Sequence, residues 1–312
     1  PEGQALARRM AAGCDVVVEN FRPGVAARLG LGAEALRAEN PGLVVCSISG
    51  FGQSGPDTAL PAYDIIVQAL SGWMDATGEA GGGPLKVGEA LGDVAAGLYA
   101  AIGILAALVG RGRTGEGAAL DVAMLDCLVA MLPTSHALHL YAGQSVARVG
   151  NRHPLSTPFG GYRTADGHVI IAVLGARQFA ALCRLMGRPQ AADDPRFATD
   201  EGRTAHEPEI RALIEDWSAR LSTDDAVAAL RGADIPAAPI LTLAGQLASA
   251  HAQARDLVAE LPHHRLGRAP VVGQPLRFDG AKPLAPTGAP ALGADTRAVL
   301  DGLGLSADQI AG

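Results

Sequence analysis

One aspartate, Asp93, stands where a carboxylate could act as a nucleophile. It lies in the stretch Gly88-Glu-Ala-Leu-Gly-Asp93-Val-Ala-Ala-Gly97, at the entrance to an apolar segment that reads as a helix. Aspartate at such a place is also a common N-cap, because its side chain accepts hydrogen bonds from the first backbone N–H groups. The glycines at 92 and 97 leave little bulk beside it, so another molecule could approach closely. Spacing alone leaves both interpretations open.

Two other patterns contain residue types that can bind a nucleotide or a metal. A G-x-G-x-x-G match at 110–115 follows a predicted helix and precedes a predicted strand, whereas a dinucleotide site needs the opposite order. A tight turn is therefore predicted there. The histidine pairs at 136/139 and 263/264 have no acidic or cysteine companion at ligand spacing. We predict no metal and no nicotinamide cofactor.

Composition and charge exclude several classes of protein. Hydrophobic residues make up 48% and charged residues 18% of the 312 residues, and the formal net charge is -7. This balance argues against nucleic acid or an anionic membrane as the main partner. The four scattered cysteines and the absence of a signal-peptide pattern predict a cytoplasmic protein with reduced thiols. The apolar run 94–109 is shorter than the about 20 residues of a membrane span and predicts a buried core helix.

The elements that must position Asp93 alternate between helix and strand. The pattern predicts helices at 2–13, 33–40, 93–109 and 123–141, and strands at 15–19, 43–48 and 118–122. Strands separated by helical segments predict an α/β fold in which an open parallel sheet forms a Rossmann-like domain.

A second, smaller domain is predicted beyond the proline-containing break at 151–158. The stretch 161–167 has the pattern of a hairpin turn, and helical stretches follow it, which is typical of an α+β domain. We expect a large domain at 1–145, a small domain at 151–260, and a return segment at 261–312 that completes the large domain.

Several motifs occur together in one order along nearly the whole chain. They are Glu19-Asn-Phe-Arg-Pro-Gly24, Ser49-Gly-Phe-Gly-Gln-Ser-Gly-Pro56, Tyr63-Asp64, Leu91-Gly-Asp93, Thr114-Gly-Glu-Gly117, Asn151-Arg-His-Pro154, Thr164-Ala-Asp-Gly167 and Gly273-Gln-Pro-Leu-Arg-Phe278. In these motifs the chain resembles the family III CoA-transferases of the CaiB/BaiF type, which include formyl-CoA:oxalate and carnitine CoA-transferases. The resemblance implies an interlocked homodimer of chains that each have a Rossmann-like large domain and a small domain.

The resemblance also implies roles for individual residues at the reacting centre. Asp93 corresponds to the family's nucleophile, which alternates between an acyl anhydride and a CoA thioester while CoA passes from an acyl-CoA donor to a carboxylic acid acceptor. A carboxylate suits this task because it is ionised at neutral pH without a partner base. Gly160 and Gly161 fall in the segment expected to face the nucleophile with backbone N–H groups. Asp64 matches an acidic residue close to it.

Coenzyme A, as part of the acyl-CoA substrate, is the cofactor that the resemblance implies. Asn20, Phe21, Arg28 and Tyr63 match positions that line its binding site. Phe21 is expected to pack on the adenine, and Arg28 to meet the phosphate charge.

The sequence departs from the family pattern in two places. The family's N-terminal strand and helix, with a catalytic-site glutamine, have no counterpart here, so we expect that the natural protein has a further N-terminal segment. The run of four glycines found in formyl-CoA:oxalate enzymes is replaced by the stretch 156–161, Ser-Thr-Pro-Phe-Gly-Gly. This argues against oxalate and leaves short dicarboxylates such as succinate, malate or itaconate as expected acids.

Two alternative functions remain open from the sequence. The α-methylacyl-CoA racemases share the fold and use a histidine–aspartate pair, but Tyr63 stands at the histidine position here. Tyrosine, with a reference pKa of about 10, is a poor acid–base partner near neutral pH. The other alternative is a non-catalytic homologue that binds CoA without turnover.

Overall fold

The computed structural model describes residues 2–145, 147–282 and 288–311, and the chain forms two compact units, residues 1–154 and 155–312. The helices of the first unit are α1 (Glu2–Ala12), α2 (Val25–Arg28), α3 (Ala33–Glu39), α4 (Asp64–Leu70), α5 (Trp73–Ala76), α6 (Leu91–Thr114), α7 (Met124–Ala130) and α8 (Pro133–Ala142). Its strands are β1 (Val16–Glu19), β2 (Val44–Ser49) and β3 (Ala119–Ala123).

The three strands form a parallel sheet in the order β1–β2–β3. Successive side chains of a strand point to opposite faces, and β2 uses both faces for packing. Val45 packs with α1 and α3 residues, whereas Ile48 packs with the cluster formed by α4, α6 and α7. Helices therefore cover both faces of the sheet, and the predicted α/β class with a parallel sheet is confirmed.

Helix α6 differs from the predicted core helix. It is longer than expected, and only Gly92, Ala95, Ala96 and Ala100 are buried along its 24 residues. A stripe of large aliphatic side chains on another face is 57–64% exposed: Val94, Leu98, Ile102, Leu105 and Val109. The prediction of a buried core helix is wrong for the single chain, because the fully buried residues of α6 are all small and most of its large aliphatic side chains are exposed. Among the described residues, α6 is the one helix long and apolar enough to span a membrane, a test that core helices of soluble proteins also pass.

Two predicted local features also differ in detail. The glycines at 110 and 112 belong to α6, which ends at Gly115 with a positive φ of 78°. Arg111 lies in this helical segment, and its guanidinium donates to the carbonyl of Gly42 and to Asp15. The helix predicted at 123–141 is divided into α7 and α8, because Pro133 cannot donate a backbone hydrogen bond and begins a new helix.

The second unit has its own core and its own sheet. Its strands are β4 (Phe159–Arg163), β5 (His168–Ala172), β6 (Ala237–Pro239), β7 (Val258–His263) and β8 (Gly267–Val272). Its α-helices are α9 (Gly175–Leu185), α10 (Asp200–Ala205), α11 (Glu207–Ser218), α12 (Thr223–Gly232), α13 (Leu243–Ala248), α14 (Ala250–Ala254), α15 (Thr296–Gly302) and α16 (Ala307–Ala311), with short 3₁₀ helices at Pro189–Asp193 and Pro195–Phe197. Strands β4, β5 and β6 form an antiparallel sheet whose apolar face packs on α9, α11 and α12.

The last part of the chain is grouped with the second unit, whereas the sequence assigned residues 261–312 to the large domain. Strands β7 and β8 pair with each other as a hairpin. Hydrogen bonds from Gly273 and Arg277 go to the backbone carbonyls of residues 257 and 255, so the neighbours of this segment are local. Its assignment to the large domain stays a prediction.

Candidate functional site

A cavity of about 250 Å³ opens where the strands of the first unit end. Its walls come from the segments that follow β1 and β2, from the first residue after β3, and from the start of α6. The lining residues are Asn20, Phe21, Arg22, Pro23, Ser49, Gly50, Phe51, Thr58, Leu60, Ala62, Tyr63, Asp93 and Met124. Ligands of open α/β sheets bind outside the carboxyl ends of the strands, which is the position of this cavity.

The segment after β1 is tied to the neighbouring strand. Asn20 donates a hydrogen bond of 2.8 Å from its side-chain amide to the backbone carbonyl of Ile48, at the end of β2. The backbone N–H of Phe21 donates to the Glu19 carboxylate at 2.8 Å. These two bonds hold the turn while the Phe21 ring stays 47% exposed at the cavity. Arg22 follows directly and is the one cationic side chain among the described residues that line the cavity.

The segment after β2 turns sharply over the cavity. The buried hydroxyl of Ser49 accepts a hydrogen bond of 3.0 Å from the backbone N–H of Gly52, whose φ of 85° suits glycine. A Cβ atom on Gly50 would lie 2.2 Å from the Cβ of Ala62, so this position has no room for a side chain. The close approach brings the segment that carries Ala62 and Tyr63 against the end of β2.

Asp93 lies in the first turn of α6, as the third helical residue after the N-cap Ala90. It is therefore not the N-cap of the helix. Its side chain is exposed toward the cavity, and no hydrogen bond to its carboxylate is recorded among the described residues. Partial burial, and after it the negative charge of Asp64, raise the pKa of the Asp93 carboxyl above its ordinary value.

Asp64 contacts the start of α6 from the first turn of α4. One of its carboxylate oxygens accepts a hydrogen bond of 2.7 Å from the backbone N–H of Gly92, and the other accepts one of 2.7 Å from the Gln68 side chain. Gly92 is required for this approach, because a Cβ atom there would lie 2.8 Å from Val67 and 3.2 Å from the Asp64 carboxylate. By contrast, nothing lies within 4 Å of a Cβ built on Gly97.

The structure brings together most of the residues predicted for the first unit. Asn20, Phe21, Tyr63 and Asp93 line one cavity, and Asp64 is close enough for its charge to raise the pKa of Asp93. Arg28 lies at the end of α2 and does not line this cavity, and its guanidinium lies over Gly24. Its contact with phosphate stays a prediction.

The predicted oxyanion glycines belong to the other unit. Gly160 and Gly161 lie in β4, where they pair with Ile171 and Ile170. The carbonyl of Gly161 accepts a hydrogen bond of 2.9 Å from Arg211. Their position facing Asp93 stays a prediction.

Sequence reasoning missed Arg22, Phe51, Met124 and Gln68. The first three directly follow, or nearly follow, the ends of the three predicted strands, so the rule that ligands bind at the carboxyl ends of parallel strands could have found them. Gln68 had no such signal. Its contacts join α4 to a segment about 20 residues later in the chain, and such long-range pairing has no local pattern.

The geometry suits reaction of a carboxylate with a bound molecule. Asp93 is open to the cavity, and its pKa is raised by burial and by Asp64. The hydrogen bond from the preceding Gly92 N–H to Asp64 fixes the backbone beside it. Exposed rings of Phe21 and Tyr63 offer apolar contact, and Arg22 offers a positive charge to an anionic group. Among the described residues, no group of three or more histidine, cysteine or acidic side chains is arranged to hold a metal ion.

Known proteins of one family are similar to this chain. The family described as CoA-transferase family III matches residues 1–296. A succinate–glutarate CoA-transferase from Agrobacterium fabrum is 41% identical over 261 residues, which are 84% of this chain and 65% of that protein. An acetyl-CoA:oxalate CoA-transferase from Acetobacter aceti is 38% identical over 280 residues, 89% of this chain and 70% of that protein.

A solved structure agrees with the fold as well. The crystal structure of a CaiB/BaiF family protein from Brucella suis superposes with a TM-score of 0.83 at 37% identity, covering 97% of this chain and 79% of that one. The chain thus spans about two thirds to four fifths of the length of these relatives, with the lowest share, 65%, for the Agrobacterium protein.

Proposed function

Because this chain belongs to CoA-transferase family III, we propose that it moves coenzyme A from an acyl-CoA donor to a small carboxylic acid, with Asp93 as covalent nucleophile. The observation that carries the proposal is the position of Asp93. Its carboxylate opens into a cavity at the carboxyl ends of the parallel strands, and three other residues expected at a CoA site line the same cavity.

The reaction takes four transfers. The Asp93 carboxylate attacks the thioester carbonyl of the donor, which gives an aspartyl–acyl anhydride and the CoA thiolate. The thiolate attacks the aspartyl carbonyl of the anhydride, which gives an aspartyl–CoA thioester and releases the donor acid. The acceptor carboxylate attacks that thioester and forms a second anhydride with release of the thiolate. The thiolate then attacks the acyl carbonyl of the acceptor, and Asp93 leaves as a free carboxylate.

The surroundings of Asp93 support the first step. Partial burial removes water from the charged Asp93 carboxylate, and the negative charge of Asp64 repels it. Both effects disfavour the charged form and raise the pKa of Asp93. A carboxylate that is less well solvated is a better nucleophile. Both oxygens of Asp64 accept hydrogen bonds, so we assign Asp64 the task of fixing the helix start and tuning this charge.

The oxyanion formed at each collapse needs hydrogen-bond donors. We propose the backbone N–H groups of Gly160 and Gly161 as these donors, because their segment resembles the one that faces the nucleophile in the family. Both residues lie in β4, which is an edge strand of its sheet. Backbone N–H groups are suited to this role because they are fixed before the reaction begins.

Coenzyme A is proposed to enter along the segment 20–23. The Phe21 ring is exposed for packing against adenine, and the guanidinium of Arg22 is placed to meet an anionic group of the substrate. Tyr63, 79% exposed, and Asn20 complete this wall. Arg28 is proposed to contact a phosphate outside the cavity.

Short dicarboxylic acids are the proposed donor and acceptor acids. The Agrobacterium relative is named for succinate and glutarate, and the Acetobacter relative for acetyl-CoA and oxalate. Because the run of four glycines typical of formyl-CoA:oxalate enzymes is absent, we favour four- and five-carbon dicarboxylates over oxalate.

We also propose a cytoplasmic homodimer, interlocked as in the family. The exposed aliphatic stripe of α6 supports an association of this kind, since contiguous apolar patches on soluble proteins usually mark interfaces.

Trapping of the covalent intermediate tests the transferase function. The purified protein is incubated with succinyl-CoA, quenched with hydroxylamine or borohydride, and digested for mass spectrometry. We expect a modification on Asp93 that is lost in Asp93→Ala and kept in the control Asp126→Ala, which removes an exposed aspartate of α7. An unmodified Asp93 together with deuterium uptake at the α-carbon of a branched acyl-CoA would instead identify a racemase.

A further inference from the structure

Gln68 is a fully buried polar side chain behind the site, 0% exposed on α4. Its amide nitrogen donates to the Asp64 carboxylate at 2.7 Å and to the backbone carbonyl of Glu89 at 3.0 Å. Its amide oxygen accepts from the backbone N–H of Val87 at 2.9 Å. The backbone partners fix the orientation of the amide, because a carbonyl only accepts and an N–H only donates.

The network ends at the residue that precedes the nucleophile. Asp64, one turn before Gln68 on the same helix, accepts the hydrogen bond of the Gly92 N–H. The N-cap residue of α6 is Ala90, which has no side chain able to cap the free N–H groups of the first turn. Asp64 therefore caps α6 from another helix, and Gln68 holds Asp64 in place.

The segment 87–92 depends on these bonds for its position. Most of its residues are exposed or half-buried, and Leu91 is the described member that packs against the apolar cluster of α4, α6 and α7. Two side chains of α4 bind three of its backbone groups, those of Val87, Glu89 and Gly92. With no hydrogen bond recorded for the Asp93 carboxylate among the described residues, its position is set by this backbone.

We propose that Gln68 is a positioning residue of the transferase site, which fixes the segment 87–92 and through it the direction of the Asp93 carboxylate. The inference rests on the proposed function of Asp93. Reactions of this kind need reacting atoms within a near-attack geometry, and a displacement of about 1 Å can cost on the order of a hundredfold in rate. Gln68 does not line the cavity, so the binding of acyl-CoA is not its task.

Single-turnover formation of the Asp93 adduct separates positioning from binding. Gln68→Met keeps the length of the side chain and removes all three hydrogen bonds. We expect the maximal rate to fall about tenfold to a hundredfold, with the half-saturating succinyl-CoA concentration changed less than about threefold. Gln68→Glu places a carboxylate against Asp64 and the Glu89 carbonyl, and we expect a loss at least as large.

Trp73→Phe is the matched structural control. It removes one hydrogen bond of 3.0 Å, from the indole to the Leu128 carbonyl, in the same unit, and leaves the hydrogen bonds from α4 to the segment 87–92 in place. We expect it to lower the thermal midpoint while the maximal rate of adduct formation stays. Equal maximal rates in wild type and Gln68→Met would overturn the proposal, as would equal losses in Gln68→Met and Trp73→Phe.

Hydrogen exchange keeps this test separate from the proposed function. In Gln68→Met, amides of the peptide that covers 85–93 should exchange faster than in wild type, while peptides of β1 to β3 stay protected. An absent adduct in wild type would refute the transferase function alone. Unchanged exchange in the 85–93 peptide would overturn the positioning role whatever the activity.

Discussion

The backbone N–H of Gly92 donates a 2.7 Å hydrogen bond to Asp64, so the charge of one carboxylate is fixed close to a second one on Asp93. This charge is the second cause, after burial, of the raised pKa of Asp93. The carboxylate form is the reactive one, so the rate of adduct formation should fall as pH drops through this raised pKa.

Asp64→Asn should move this acid limb to lower pH. Removing the neighbouring charge lowers the pKa of Asp93 toward its ordinary value, so the reactive carboxylate persists in more acidic solution. The plateau rate should also fall, because the amide introduced by Asp64→Asn has only one acceptor oxygen for two donors. Its NH2 group must face either the Gln68 amide nitrogen or the Gly92 N–H, and one hydrogen bond is lost. The measurement is the pH profile of adduct formation in single turnover. A limb that stays in place or moves to higher pH would contradict the charge effect.

Gly92→Ala and Gly97→Ala form a matched pair on α6. The first places a methyl group 2.8 Å from Val67 and should destabilise the protein by about 1–3 kcal/mol, with slower adduct formation. The second points into open space and should stabilise the helix by about 0.5–1 kcal/mol. Thermal midpoints should therefore move in opposite directions. Thermal midpoints that move in the same direction would contradict the contrast between a crowded Gly92 and an open Gly97.

Gly50→Ala should disturb the cavity wall in a way that a second change repairs. The new Cβ would lie 2.2 Å from the Cβ of Ala62, and overpacking of this kind costs about 1–3 kcal/mol. Because the φ of Gly50 is not in the left-handed region, the clash is the main cost. Ala62→Gly in the same protein removes the atom in the way. Denaturation of both single variants and the double variant should give a favourable coupling energy, and additive losses would contradict it.

Part of this site could be predicted from sequence because it follows local patterns. Strands β1, β2 and β3 are short apolar runs, and residues just after them, such as Asn20 and Phe21, are placed at the sheet edge by the parallel topology. The exposed stripe of α6 could not be predicted, since a uniformly apolar helix has the same pattern whether or not another surface covers it. The Gln68 network could not be predicted either, because it joins α4 to the segment before α6 through contacts that have no local signature.

Arg22→Met should weaken the binding of acyl-CoA more than its chemistry. If the guanidinium meets an anionic group of the substrate, its loss costs about 1.5–3 kcal/mol, equivalent to a rise in KM of about tenfold or more. The effect should shrink at high salt, because screening weakens the contact in wild type. The control is Arg113→Met, which changes an exposed arginine in the last turn of α6. We expect its KM to equal that of wild type. Equal KM values for wild type and Arg22→Met would exclude Arg22 from the substrate site.

Ile102→Glu tests whether a second copy of the chain covers the stripe of α6. Ile102 lies in the middle of the stripe and is 63% exposed in the single chain, so a charge there costs little in a monomer. In a homodimer that buries the stripe, an unpaired carboxylate is strongly unfavourable, and the variant should shift toward the monomer in sedimentation analysis. The control Leu243→Glu changes an exposed leucine outside the stripe and should assemble as wild type does. A wild type that sediments as a monomer, or an Ile102→Glu variant that assembles normally, would refute a dimer built on this face.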